Sequence, residues 1–171
     1  LIEKLIDSGL KKIEVTSFVN AKIVPQMSDA EQLIEHLPLV EDVIYTGLLL
    51  SRSGLERALA TKLTHYNVVL AVSNTFNLKN VKKSVEQSLH ELTALIQEAK
   101  ANNKYVNITL GTAFGCPYEG EIALDHLLTV AARFIETGVD EITFADTTGL
   151  ANPLKIEKTI KAYERTFGTD I

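Results

Sequence analysis

Tryptophan is absent from this chain of 171 residues, and cysteine and methionine occur once each. A single cysteine, Cys116, excludes an internal disulfide framework and a cysteine-based metal site. It fits a reducing compartment, the cytoplasm or an organelle such as the mitochondrial matrix. No basic run is present and the net charge is −5, so nucleic acid and anionic membrane are poor partners. No apolar stretch reaches transmembrane length, and the N-terminus does not read as a signal peptide. The four histidines, His36, His65, His90 and His126, show no metal-ligand spacing such as H-x-H. What is there is the composition of a soluble globular protein, with 46% apolar and 23% charged residues.

Helical and strand patterns alternate from end to end. Leu1, Ile2, Leu5 and Ile6 share a helical face, with Gly9 as a C-cap. Strands are expected over 13–19, 43–50, 66–72, 105–110 and 141–145. Helices are expected from a cap at Ser28 or Asp29 to Pro38, and over 53–63, 80–102 and 124–135. The last runs from 154 to about 166, with Pro153 in its first turn. Such alternation points to parallel strands with helical crossovers, in one domain over residues 1–171. The segment from Gly9 (GLKKIEVT) resembles that from Gly138 (GVDEITFA), as a repeated helix–strand unit would. Pattern alone leaves two architectures open, a (β/α)8 barrel seen in part and an open doubly wound sheet. The chain starts inside a helix and stops near Thr169–Ile171, where a further strand is expected. In a rolled sheet with open edges, Val15 and Ile142 are expected to face the barrel interior, and self-association is expected to cover them.

Polar residues gather at the C-terminal ends of the strands, where both architectures place active sites. Glu14 and Thr16 alternate with Val15 and Ser17. A structural ion pair to a buried cation and a catalytic carboxylate are both open readings of Glu14. Asp146 and Thr147 follow an apolar strand, and Asp146 can cap the turn, act as a base or approach a metal. The loop 111–120 (GTAFGCPYEG) is stiffened by glycine and proline. Cys116 within it has no basic neighbour in sequence to activate its thiol. Asn77, Lys79 and Asn80, with Lys82 and Lys83, can meet a phosphate-bearing ligand or simply solvate a helix start.

Together the runs IEVTSFV at 13–19, VPQM at 24–27, GCPYEG at 115–120 and EITFADTTG at 141–149 resemble the 3-hydroxy-3-methylglutaryl-CoA lyase family, in order and spacing. The resemblance implies an α/β fold, an incomplete TIM barrel lacking the first, seventh and eighth strands. It implies a carbon–carbon lyase that cleaves the CoA thioester to acetoacetate and acetyl-CoA, as in leucine degradation and ketone-body formation. It further implies a divalent metal, Mg2+ or Mn2+, in the complete parent, and a homo-oligomer. Glu14 and Asp146 would line the site, with Asp146 near the metal or its water. Thr16, Ser17, Gly111 and Thr147 would neighbour the substrate, and Asn77, Lys79 and Asn80 would meet the CoA nucleotide. The family's Arg-Asp pair, His-x-His pair, Asn ligand and reactive cysteine are not in this sequence. Cys116 belongs to the fifth-strand loop instead. The isolated chain is therefore expected to be inactive and to hold no complete metal site. Other readings are a 2-oxoacid aldolase, an isopropylmalate-type synthase, a carboxyltransferase, or a non-catalytic structural fragment.

Overall fold

The computed structural model describes residues 1–169 as alternating helices and strands. In chain order these are α1 (Ile2–Asp7), β1 (Lys12–Ser17), a 3-10 turn (Pro25–Met27), α2 (Ala30–Glu35), β2 (Ile44–Leu49), α3 (Arg52–Leu59) and β3 (His65–Ala71). Then come α4 (Asn74–Val81), α5 (Val85–Ala101), β4 (Tyr105–Gly111), α6 (Leu124–Ile135), β5 (Glu141–Phe144) and α7 (Pro153–Phe167). Every neighbouring pair of strands is parallel, and the order is β1-β2-β3-β4-β5. A doubly wound sheet needs a reversal of strand order, and none occurs among the described residues. The further strand expected at Thr169–Ile171 lies largely outside the described residues.

The sheet is rolled. Four strand spacings of a flat sheet put its edges roughly 19 Å apart, too far for a direct contact between side chains. Yet Lys12 on edge strand β1 forms an ion pair with Glu141 on edge strand β5. The two edges therefore curve toward each other, as strands of a (β/α) barrel do.

Alternation along each strand sorts side chains between two very different faces. Tyr66, Val68 and Leu70 of β3 and Val106, Ile108 and Leu110 of β4 are buried in the apolar cluster beneath the helices. From the helices that cluster takes Ile34, Leu55, Leu89, Ile96 and Phe134, each 1% exposed or less. Val15 and Ile142 also pack against it. This corrects the expectation that they face the barrel interior. Their neighbours Glu14 and Thr143 take the interior positions, and the concave face is polar rather than apolar. The apolar motive for self-association through that face disappears with them.

The long helical pattern at 80–102 is cut in two. Lys82 adopts a left-handed conformation (φ 62°) and ends α4, and Ser84 then starts α5. Ser84 Oγ accepts from Gln87 N at 3.1 Å while Gln87 Oε1 accepts from Ser84 N at 2.9 Å. This reciprocal capping box fixes a new helix start inside an unbroken apolar period. A second cap, Ser73 Oγ accepting from Phe76 N, moves the start of α4 up to Asn74. Among the described residues no helix is long and apolar enough to cross a membrane.

Candidate active site

The C-terminal ends of β1, β3, β4 and β5 converge with their loops at one rim. Thr112 organises it. This residue is fully buried and sits at φ 56°, a left-handed conformation uncommon outside glycine. Three hydrogen bonds offset the strain. Thr112 N donates to Thr147 Oγ1 at 2.8 Å, its hydroxyl donates to Gly111 O at 2.6 Å, and Ser73 N donates to that hydroxyl at 3.2 Å. Gly111 lies against the same Thr147 hydroxyl. A Cβ there would come within 3.2 Å of Thr147 Oγ1.

The loop after β4 folds into a closed turn by paired backbone bonds between Cys116 and Gly120, both 2.8 Å. Gly115 packs on Leu150, and Thr148 donates to Gly115 O at 3.3 Å, so the loops after β4 and β5 interlock. Cys116 is 1% exposed, and its sulfur accepts from the Ser73 hydroxyl at 2.9 Å. It holds the loop to α4, a structural setting rather than that of an open nucleophile. Glu119 reaches the same helix start, accepting from Thr75 N at 2.6 Å. Burial raises its carboxyl pKa. Hydrogen bonds from the Thr75, Ser73 and Asn74 groups outweigh that and hold it below the ordinary carboxylate value.

Asp146 is exposed, and each of its oxygens accepts a backbone amide, Leu150 N at 2.9 Å and Ala151 N at 3.1 Å. Its carboxylate fixes the 147–151 turn and thereby the placement of Thr147. Thr16 and Ser17 are 8% and 9% exposed. The register between β1 and β2 slips between Glu14 and Thr16, pairing Glu14 with Thr46 and Thr16 with Gly47. Strict alternation from Glu14 therefore fails beyond that point. Ser17 Oγ is buried with no hydrogen-bond partner among the described residues.

Glu14 sits on the concave face, where its Oε2 accepts from Asn67 Nδ2 at 2.7 Å. Among the described residues it forms no ion pair, because the cation nearest along its own face, Lys12, is engaged by Glu141. The concave face encloses about 340 Å³, lined by Lys12, Glu14, Asn67, Asn107, Thr109 and Glu141 among others. Near Lys12, the rings of His65 and Tyr105 pack 4.7 Å apart. Burial, with the Lys12 charge second, pushes the His65 pKa down. Sequence reading missed this polar lining. Its signal was polar residues at period two in otherwise apolar strands, Asn67 in one, Asn107 and Thr109 in the next, and Glu141 and Thr143 in the last.

The CoA-side candidates separate. Asn77 is 2% exposed and turned inward, its amide donating to Lys83 O, Ser84 O and Ser88 Oγ at 3.0, 3.2 and 2.7 Å. It ties α4 to α5, a packing role where the sequence suggested ligand contact. Lys79 and Asn80 are exposed. The Lys79 ammonium lies 4.8 Å from the Tyr118 ring centre, which joins α4 to the 111–120 loop. Among the described residues no group of three His, Cys, Asp or Glu side chains could hold a metal ion. Each Asp146 oxygen accepts one amide and keeps a second lone pair, but without two further such side chains beside it the described residues do not assemble a metal centre by themselves.

A rolled parallel sheet with its polar loops at the C-terminal rim defines the chain as part of a (β/α)-barrel enzyme fold. The HMGL-like family model matches residues 1–170, and the chain belongs to that family. Hydroxymethylglutaryl-CoA lyase of Bacillus subtilis is 34% identical over 94% of this chain and 54% of its own length. (R)-citramalyl-CoA lyase of Chloroflexus aurantiacus is 32% identical over 91% of this chain and 52% of its own. The crystal structure of the B. subtilis lyase superposes with a TM-score of 0.92, at 34% identity, over 97% of this chain and 56% of that one. A structure of an HMG-CoA lyase from Acinetobacter baumannii in complex with coenzyme A and 3-methylmalate gives 0.89, at 32% identity, over 96% and 54%. The chain thus spans about half the length of the curated relatives it matches.

Proposed function

We propose that this chain forms part of a carbon–carbon lyase that cleaves 3-hydroxy-3-methylglutaryl-CoA to acetoacetate and acetyl-CoA. The observation that carries the reading is the likeness to HMG-CoA lyases over 96–97% of the chain, including one in complex with coenzyme A. In the reaction the tertiary hydroxyl loses its proton, the bond between C2 and C3 breaks, and acetoacetate leaves. The electron pair stays on the acetyl-CoA enolate, which takes up a proton at carbon. Ser17, with its unpartnered hydroxyl, is assigned to a substrate oxygen at the rim. Gly111, Thr112 and Thr147, held together by the Thr147 hydroxyl, are assigned to the floor of the site, with Asp146 orienting Thr147 and with Thr16 next to Ser17 at the end of β1. Glu14 is assigned the proton traffic of the hydroxyl from below. Lys79 and Asn80, exposed in the last turn of α4, are assigned to the CoA phosphates through the Lys79 charge and the Asn80 amide.

The citramalyl-CoA lyase relative favours a second reading. Citramalyl-CoA carries the same tertiary hydroxyl β to the thioester, with one methylene fewer before the carboxylate. A single methylene changes specificity only about 10- to 200-fold, so the two activities are close in kind. The experiment is to assay the whole protein on both thioesters, following acetyl-CoA release. Preferential cleavage of 3-hydroxy-3-methylglutaryl-CoA is expected, with Glu14→Ala severely impaired. Preference for citramalyl-CoA would move the reading to the second activity, and cleavage of neither would refute both. A divalent cation requirement, Mg2+ or Mn2+, is part of the proposal for the whole protein. Chelation should abolish its activity and either ion should restore it.

A further inference from the structure

The concave face carries one hydrogen-bonded ladder across three adjacent strands, and it ends on Glu14. Asn67 and Asn107 are register partners on β3 and β4. Asn67 Oδ1 accepts twice, from Asn107 Nδ2 and from Thr109 Oγ1, both at 2.9 Å. Asn107 Oδ1 accepts from Thr143 Oγ1 at 3.1 Å, on β5. Asn67 Nδ2 is left to donate to Glu14 Oε2 at 2.7 Å, reaching to β1.

An asparagine amide can in principle be turned end for end, and the network decides its direction. Turning Asn67 alone would set its NH2 against the Asn107 NH2 and its carbonyl against the Glu14 carboxylate. Two favourable bonds would become a donor–donor and an acceptor–acceptor contact. Turning both amides still leaves Asn67 Oδ1 facing Glu14 Oε2. With a carboxylate at Glu14, donation therefore runs in one direction, Thr143 to Asn107 to Asn67 to Glu14. Among the described residues Asn67 is the one side chain bonded to the Glu14 carboxylate, and its Oε1 stays free.

We propose that Asn67 is the positioning residue of this site, holding one Glu14 oxygen so that the other is presented to the reacting hydroxyl. Asn107 and Thr109 act through it by fixing the direction of its amide. The proposal rests on the reading above, in which Glu14 serves the lyase reaction. Asn67 touches no substrate, so its effect belongs in kcat rather than in KM. A hydrogen bond to a charged group is worth enough that its loss lowers kcat about tenfold or more.

The test is a double-mutant cycle in the whole protein, assayed on 3-hydroxy-3-methylglutaryl-CoA. Asn67→Ala should lower kcat by at least about tenfold, with KM within about twofold. In a Glu14→Ala background the same change should alter kcat less than about twofold, because the contact it served is already gone. Equal losses in both backgrounds, or an effect confined to KM, would overturn the proposal. Absence of activity in the unmutated protein would remove the functional reading and the catalytic part of the proposal with it. The contact itself is then judged separately in this chain by NMR. Its Asn67 side-chain amide protons should move upfield in Glu14→Ala, and unchanged resonances would refute the contact.

Discussion

Replacing Asn77 by alanine separates a packing role from a ligand-binding one. The two protons of the Asn77 amide reach three acceptors at the α4–α5 junction, the Ser88 hydroxyl and the carbonyls of Lys83 and Ser84, so one proton is shared and the contact to Ser84 O, the longest, is the weakest. These losses are unequal. Ser84 O keeps its helical bond from Ser88 N, and the Ser88 hydroxyl can rotate toward a nearby carbonyl. Lys83 O loses its bond from Asn77 in a partly buried setting, and the cavity adds a little more. At roughly 1 kcal/mol for each bond lost, moderated by that compensation, the cost is about 2–3 kcal/mol. For a chain of this length each kcal/mol lowers the melting temperature by roughly 2–4 °C. Asn77→Ala should therefore melt about 4–12 °C lower by circular dichroism. Asn77→Asp should cost more, since a carboxylate would face carbonyl oxygens. In the whole protein, assayed well below the melt, KM for the CoA thioester should change less than about twofold. An unchanged melting temperature with a tenfold rise in KM would refute the reasoning and return Asn77 to the substrate.

Four further outcomes are expected. Asp146→Asn exchanges one of two amide-accepting oxygens for a donor, so it should loosen the 147–151 turn and lower kcat in the whole protein; Cys116→Ser keeps a partner for Ser73 and should be mild in the same assay. Burial and Lys12 hold the His65 pKa below its ordinary value, so the stability it contributes is complete above about pH 6.5 and is lost as pH falls through the folded value. Denaturant melts between about pH 7 and 5 should show that slope, and His65→Gln should flatten it. Ser84→Ala removes the cap of α5 and should cost about 1 kcal/mol in chemical denaturation, while an unchanged midpoint would show that the capping box contributes nothing.

The sequence by itself determined the alternation of helix and strand, and with it the parallel sheet, because the period of apolar residues is a local property. It also determined the rim motifs, since loop residues such as Asp146, Thr147 and Gly111 lie within a few positions of the strands that carry them. It did not reveal the break at Lys82–Ser84, where a capping box interrupts an apolar period that continues unbroken. Tertiary structure alone decided which face of each strand looks inward. Alternation says that Val15 and Glu14 point opposite ways, but not which of them meets the helices. The helices bury the apolar set, since burial there removes the most apolar surface from water, and Glu14 and Thr143 are left lining the interior. The ladder from Thr143 through Asn107 and Asn67 to Glu14 joins strands far apart in the chain. Those partners are chosen by strand register and by the roll of the sheet, which no local pattern encodes.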